Sequence, residues 1–267
     1  MILAAALYTI RREVPSPAAF AGGLQRLRDI GYRGVEAGGV PLLEGPDPAI
    51  SARDLKRMLD DAGLQCVGAH ARWREIRDDT SAVIDRLQEL DCPIISVPAF
   101  IDEFDRFEPA SYATFAGEAA LVTQVLGEHG MRLGYHHHAH EFLRFGADRR
   151  TMFDVLIDEP SLAIEIDVYW AAFGGVDPAG LIERLPGRVP LLHCKDLEMI
   201  RDAEAGARPF FAPVGEGNLN WDRILAASQA AGTEAWVVEQ DQCLRDPFDC
   251  LRSSFEFLQA RVPSSHA

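Results

Sequence analysis

The chain has 267 residues, 48% of them hydrophobic, and its 41 acidic against 26 basic side chains leave a formal net charge of −15. That much apolar material fills one core of the size α/β barrels reach, whereas the acidic excess repels polyanions and sets nucleic acid aside as a partner. No apolar run approaches the roughly 20 residues that cross a bilayer, and the five scattered cysteines (Cys66, Cys92, Cys194, Cys243, Cys250) form no CxxC pair, which argues for a reducing, cytoplasmic compartment.

Met1 to Ile10 is apolar but lacks a basic leading region, so Ile2 to Tyr8 reads as a first strand and not as a secretory signal. An amphipathic helix follows from Pro17 to Ile30, with Phe20, Leu24, Leu27 and Ile30 on one face and Gly31 as its stop. Gly34 to Glu36 is the second strand. Ser51 caps a helix through Leu55, Met58 and Leu59 to Ala62, ended by Gly63. Gln65 to His70 is the third strand, Thr80 to Leu90 the next helix, and Ile94 to Val97 the fourth strand. A helix from Pro109 to His129 stops at Gly130 and leads into the fifth strand, Met131 to Tyr135.

In the second half, Thr151 to Ile157 is a short helix, Leu162 to Asp167 the sixth strand, and Asp177 to Leu185 a helix opened by an Asp-Pro cap. Val189 to His193 is the seventh strand. Lys195 to Gly217 reads as a long irregular segment, a lid or a binding loop. A helix to Ala231 starts at Asn220 or Trp221, Ala235 to Glu239 is the eighth strand, and Pro247 to Ala260 the closing helix. Residues 1–262 are thus expected to form one domain, with 263–267 a disordered tail.

Eight strand-helix units in 267 residues take about 33 residues each, and right-handed parallel crossovers of that size close into a single (β/α)8 TIM barrel. The competing doubly wound sheet calls for a glycine-rich turn after the first strand, where this chain has Tyr8-Thr9-Ile10-Arg11-Arg12. In a barrel the chemistry stands at the carboxyl ends of strands, and those ends carry Glu36, His70, His136 with His138, Asp167, His193 and Glu239. Four of the eight histidines fall within His136 to His140, followed at once by Glu141. Imidazole and carboxylate together suit a divalent metal; the bland alternative is a solvated histidine-rich loop. Parity favours the site. From Leu162 to Asp167 the even members make an aliphatic face, so Ala163, Glu165 and Asp167 turn to the axis, as do Val237 and Glu239 against Trp236 and Val238. Carboxylates directed into a closed core are costly without a cation.

The runs Leu7-Tyr8-Thr9-Ile10-Arg11, Gly31 to Glu36, Gly134 to Phe142, Asp167-Val168-Tyr169-Trp170, His193-Cys194-Lys195-Asp196, Val214-Gly215-Glu216-Gly217 and Val238-Glu239-Gln240-Asp241 resemble, as a set in this order, the sugar phosphate isomerase/epimerase group of the xylose-isomerase-like barrels. The resemblance implies one divalent ion (Mn, Mg, Co or Zn) held by Glu, Asp, His and Glu from strands five to eight. Carried over by position, Asp167, His193 and Glu239 take the last three places, at spacings of 26 and 46 residues. Strand five departs from the pattern, since its carboxylate position falls at His136. Glu141 is expected to fold back as the fourth ligand, with His136 or His138 as the fallback.

Such a ligand set implies an isomerase or epimerase that removes a proton beside a metal-bound carbonyl of a keto-sugar or related polyol ketone, through an enediolate. A dehydratase or lyase of inososes or 3-keto-glycosides is the neighbouring alternative. Glu141, Glu239 and His136 are the candidate bases, and Lys195 either neutralises the enediolate or pairs with Glu165 or Asp196. Glu36, His70, His138, Trp170 and Glu216 are candidate substrate contacts. No glycine-rich phosphate cradle stands out after strands seven and eight, which favours a non-phosphorylated sugar. The expected partner is a small sugar, with neither nucleic acid nor membrane, and homo-oligomerisation is left open. From other classes, an endonuclease IV-like phosphodiesterase calls for further metal ligands and a basic face, and a non-catalytic sugar-binding barrel calls for no metal.

Overall fold

The protein is described by a computed structural model over residues 1–45, 47–98 and 104–262. The tail expected at 263–267 lies outside the described residues. Short aliphatic runs form eight strands: β1 (Ile2–Ala6), β2 (Gly34–Ala37), β3 (Gln65–His70), β4 (Ile94–Val97), β5 (Arg132–His136), β6 (Ala163–Asp167), β7 (Leu191–Cys194) and β8 (Ala235–Val238). They close into one barrel in the order β1-β8-β7-β6-β5-β4-β3-β2, every neighbouring pair parallel. The (β/α)8 TIM barrel expected from the alternating pattern is what the chain adopts.

Strand alternation sorts the core into two parts. Inside the barrel Ala4, Ala6, Val67, Ile94, Ala163, Leu191, Ala235 and Val237 pack together, with Ile2 against them. Between strands and helices lies the larger core, which takes Leu133, Tyr135, Ile164, Ile166, Leu192, Trp236 and Val238 from the outward faces. The parity read for β6 and β8 therefore holds. Small interior residues let the strands approach: a side chain on Gly68 would meet Leu191 Cδ1 at 2.6 Å and Glu36 Oε1 at 3.2 Å. Glycine at 68 thus leaves room for a buried carboxylate.

Most helices begin where a short polar side chain satisfies the first turn. Ser16, Ser51, Asp79, Asp177, Asn220 and Asp246 each accept a backbone N–H there, and Thr151 with Asp154 makes a capping box before Met152–Ile157. Each cap is worth about 1 kcal/mol. Trp73–Asp78 and Pro109–Glu128 have no such cap. Strand and helix ends otherwise fall within two or three residues of the sequence reading. Two short helices, Trp73–Asp78 and Val168–Phe173, follow β3 and β6 without having been read.

The segment Lys195–Gly217 is a correction. It is not irregular: Asp196–Asp202 pairs antiparallel with Gly206–Ala212, from Asp196 opposite Ala212 to Asp202 opposite Gly206. Gly206, at φ 76°, supplies the left-handed residue the turn requires. No helix among the described residues is long and apolar enough to cross a membrane.

Candidate metal centre

Four strands bring their ends to one point. One donor atom from each of His136 (β5), Asp167 (β6), His193 (β7) and Glu239 (just after β8) lies within 4.8 Å of the other three, all four side chains buried. A second group, His70, His136, Glu165 and His193, meets the same distance and shares two members with the first. Glu165 and Asp167 are two residues apart on one strand, so they share a face at different depths, roughly 7 Å apart along β6. The shared imidazoles bridge the levels. His193 sets Nδ1 2.7 Å from Glu239 Oε2 above, and Nε2 2.8 Å from Glu36 Oε2 and against Glu165 Oε1 below. His136 sets Nε2 3.7 Å from Asp167 Oδ2 and Nδ1 3.2 Å from Glu165 Oε1. His70 Nε2 lies 3.1 Å from that same Glu165 oxygen.

This cluster is short of positive charge. Burial raises the carboxyls of Glu36 and of Asp167, the latter to about 6 against the pull of Lys195 and His193. Burial works the same way on Glu165 and Glu239, but His193 and His70 outweigh it at Glu165, and Lys195 and His193 outweigh it at Glu239, so both stay ionised. Burial would strip the proton from His70, yet Glu36 and Glu165 hold it and push the group up to about 9. His136 goes the other way, down to about 3, through burial and the neighbouring His193. Among the described residues, Asp167 Oδ2 is met by Lys195 Nζ at 3.0 Å, while the buried Glu36 Oε1 accepts no hydrogen bond. Buried carboxylates in excess of the cations beside them, together with a neutral imidazole, suit a divalent ion.

Lys195 is only 2% exposed and places Nζ 2.8 Å from Glu239 Oε2, 3.0 Å from Asp167 Oδ2 and 2.9 Å from Asp241 Oδ1. Its structural partners are thus not Glu165 or Asp196. Asp196 anchors a loop instead, accepting the backbone N–H of Leu197, Gly215, Gly217 and Leu219 and the Trp221 indole N–H at 2.6 Å. Glu36, His70, His136, His138, Lys195 and Glu239 all border one cavity of about 290 Å³.

Three sequence-read residues stand elsewhere. Glu141, expected to fold back as the strand-five ligand and base, belongs to neither donor group. Its Oε1 accepts from the Tyr135 hydroxyl at 2.7 Å and its Oε2 from the His138 N–H at 2.8 Å. Tyr135 precedes His136 and so faces the helices, its ring 5.5 Å from that of Phe115. A 3-10 turn, His140–Phe142, brings Glu141 over that outer face, where burial pushes its carboxyl up to about 7. The fallback, His136, is the residue delivered to the cluster. Glu216 is held at the surface by Arg245, at 2.6 and 2.9 Å, and does not border the cavity. Trp170 does not border it either; its ring packs 5.4 Å from His138 and 4.9 Å from Tyr169.

Sequence reasoning missed Asp241 and the linking role of Glu165. For Glu165 the signal was available, as it lies two residues from Asp167 on β6 and so shares its face; Asp241 lies beyond the end of β8, where strand alternation no longer applies. His137 is structural: Nε2 accepts the Asp167 N–H at 3.1 Å while Nδ1 faces the His138 carbonyl at 3.0 Å, tying the loop after β5 to β6.

Among curated proteins, the chain is similar to the rhizopine catabolism protein MocC of Rhizobium meliloti, 24% identical over 268 residues that cover 88% of this chain and 79% of that protein. It is also similar to the inosose dehydratase of Geobacillus kaustophilus, 27% identical over 157 residues, 54% of this chain and only 50% of the dehydratase. Among solved structures, a sugar phosphate isomerase/epimerase from Parabacteroides distasonis superposes with a TM-score of 0.78 at 22% identity, covering 97% of this chain and 94% of that one, a likeness that speaks for the fold. The family description of the xylose isomerase-like TIM barrel matches residues 24–261, nearly the whole of the closed parallel barrel. The chain belongs to the xylose isomerase-like TIM barrel family.

Proposed function

We propose that the protein is a divalent-metal-dependent isomerase or epimerase of a keto-sugar or related polyol ketone, with His136, Asp167, His193 and Glu239 holding the ion. The observation that carries this reading is the meeting of four buried donors within 4.8 Å at the ends of consecutive barrel strands. Two carboxylates suit manganese or magnesium and two imidazoles suit cobalt or zinc, so the mixed set fits any of the four, and manganese serves as the probe. Bound there, the ion supplies Lewis acidity to a carbonyl and so lowers the pKa of the neighbouring C–H.

The chain's own groups do the rest. Glu239, whose carboxylate borders the cavity, is the acceptor for the carbon-bound proton. Lys195, held protonated by Asp167, Glu239 and Asp241 against the effect of burial, sets a fixed positive charge where negative charge develops on the substrate. Glu36 and His70, on the wall at β2 and β3, orient hydroxyls. An epimerase or isomerase returns the proton to carbon. The same first step followed by loss of a β-hydroxyl is dehydration, the second reading, favoured by the similarity to inosose dehydratases. The five cysteines, all free, suit a cytoplasmic setting.

The test is to load the protein with manganese, offer ketoses, inososes and 3-keto-glycosides in heavy water, and follow each carbon by NMR. Deuterium entering beside the carbonyl without loss of water supports isomerase or epimerase; water loss supports the dehydratase. Full exchange retained in both Asp167→Asn and Glu239→Gln overturns the site.

A further inference from the structure

A second cavity of about 780 Å³ adjoins the metal cavity of about 290 Å³. Gly38, Glu44, His70, Ala71 and Arg72 border both, so the two meet along a rim between the ends of β2 and β3. At that rim a side chain on Gly38 would lie 2.7 Å from His70 Cβ. Glycine there keeps the rim low without displacing the histidine.

The two cavities differ in chemistry. The first is bordered by carboxylates, imidazoles and a buried ammonium, the surroundings of a hydroxylated head group. The second is floored by Ile50, Leu55 and Leu90 and walled by Pro41 and Leu43, with Glu44, Arg72, Glu75 and Arg86 at its edge, the last two bound to each other. A polyol has no use for those walls. An aryl or alkyl group does, since each buried CH₂ favours binding by about fourfold. The smaller cavity lies at or just below the lower end of the roughly 300–1,000 Å³ range of ligand sites, and the larger one well within it.

We infer that the substrate is a conjugate, with a keto-polyol head in the metal cavity and an apolar aryl or alkyl aglycone in the neighbouring cavity. This rests on the proposed function and narrows it to a glycoside, whereas a free ketose or inosose would leave the apolar walls wet.

The test compares methyl, phenyl and octyl glycosides of a 3-keto-hexose with free ketoses, using the full manganese-loaded chain and deuterium exchange. The phenyl and octyl compounds should have kcat/KM values on the order of 10- to 100-fold above the methyl compound. Leu43→Asp should bring the phenyl-to-methyl ratio down to near one, and Leu43→Ala should lower it less. Calorimetry with unoxidised phenyl and methyl glucosides gives a readout that needs no turnover, with the same ratio and the same loss in Leu43→Asp. Exchange on the methyl compound or free ketoses with no preference for the apolar conjugates overturns the inference and leaves the proposed function standing. No exchange on any compound counts against the proposed function, and the glucoside binding ratio then decides the apolar subsite alone.

Discussion

Glu165→Gln removes one charge from beneath the cluster without changing its shape. In the folded chain Glu165 Oε1 lies 3.2 Å from His136 Nδ1, 3.1 Å from His70 Nε2 and against His193 Nε2. It therefore holds the lower ring nitrogen of His136 and shares that of His193 with Glu36 Oε2, leaving His136 Nε2 and His193 Nδ1 to face Asp167 and Glu239. Loss of one such outer partner weakens metal binding about 10- to 100-fold. Glu36 Oε2 still holds His193 Nε2 at 2.8 Å in the variant, so the loss falls on His136 and the middle of that range applies: about 30-fold weaker manganese binding, or about 2 kcal/mol. Titration against a competing chelator measures it. Long-range ¹⁵N correlation on the histidine rings supplies a second readout, with the proton on His136 Nδ1 and His193 Nε2 in the loaded wild type and a mixture of tautomers at His136 in the variant. Glu165→Asp should recover part of the affinity. If Glu165→Gln keeps affinity within about threefold and leaves both ring tautomers unchanged, Glu165 does not orient the ligands.

The assignment at β5 separates cleanly: His136→Gln should weaken manganese binding by at least the roughly 100-fold that loss of an outer partner can cost, while Glu141→Gln should leave it nearly unchanged. Equal losses in the two would return Glu141 to the metal. Glu141 has its own pH signature. Its folded pKa of about 7 lies above the ordinary 4.5, so the folded state binds the proton more tightly, and its contribution to stability falls as pH rises from about 4.5 to about 7, by up to about 3 kcal/mol. Denaturation midpoints at pH 5 and pH 8 should therefore diverge more in wild type than in Glu141→Gln, and identical differences would contradict the buried, proton-binding carboxyl. Asp196→Ala removes the acceptor for four backbone N–H groups and the Trp221 indole, and should cost about 3 kcal/mol or more. Faster amide exchange at 215–219 accompanies that loss; protection equal to wild type would count against the loop anchor.

Much of the barrel and three members of the donor cluster were legible in residue order. Strand and helix periods depend on neighbours two to four positions away, and the inward direction of Ala163, Glu165 and Asp167 follows from counting along one strand. Asp167, His193 and Glu239 could thus be assigned to strand ends before any coordinates. For β5 residue order pointed to Glu141 where the donor cluster takes His136, because that choice turns on Tyr135, whose outward hydroxyl captures the Glu141 carboxylate in a 3-10 turn. Nor did residue order reveal that Lys195 would meet Asp167, Glu239 and Asp241, that Asp196–Ala212 would fold on itself as a ribbon, or that Leu43 and Leu90 would face a cavity beside the metal cavity. Those contacts join residues far apart in the chain, and their partners exist only once the barrel closes and sets the loop between β2 and β3 over the ends of its strands. Local periodicity dictated the direction of each side chain; closure of the sheet decided which of them share a site.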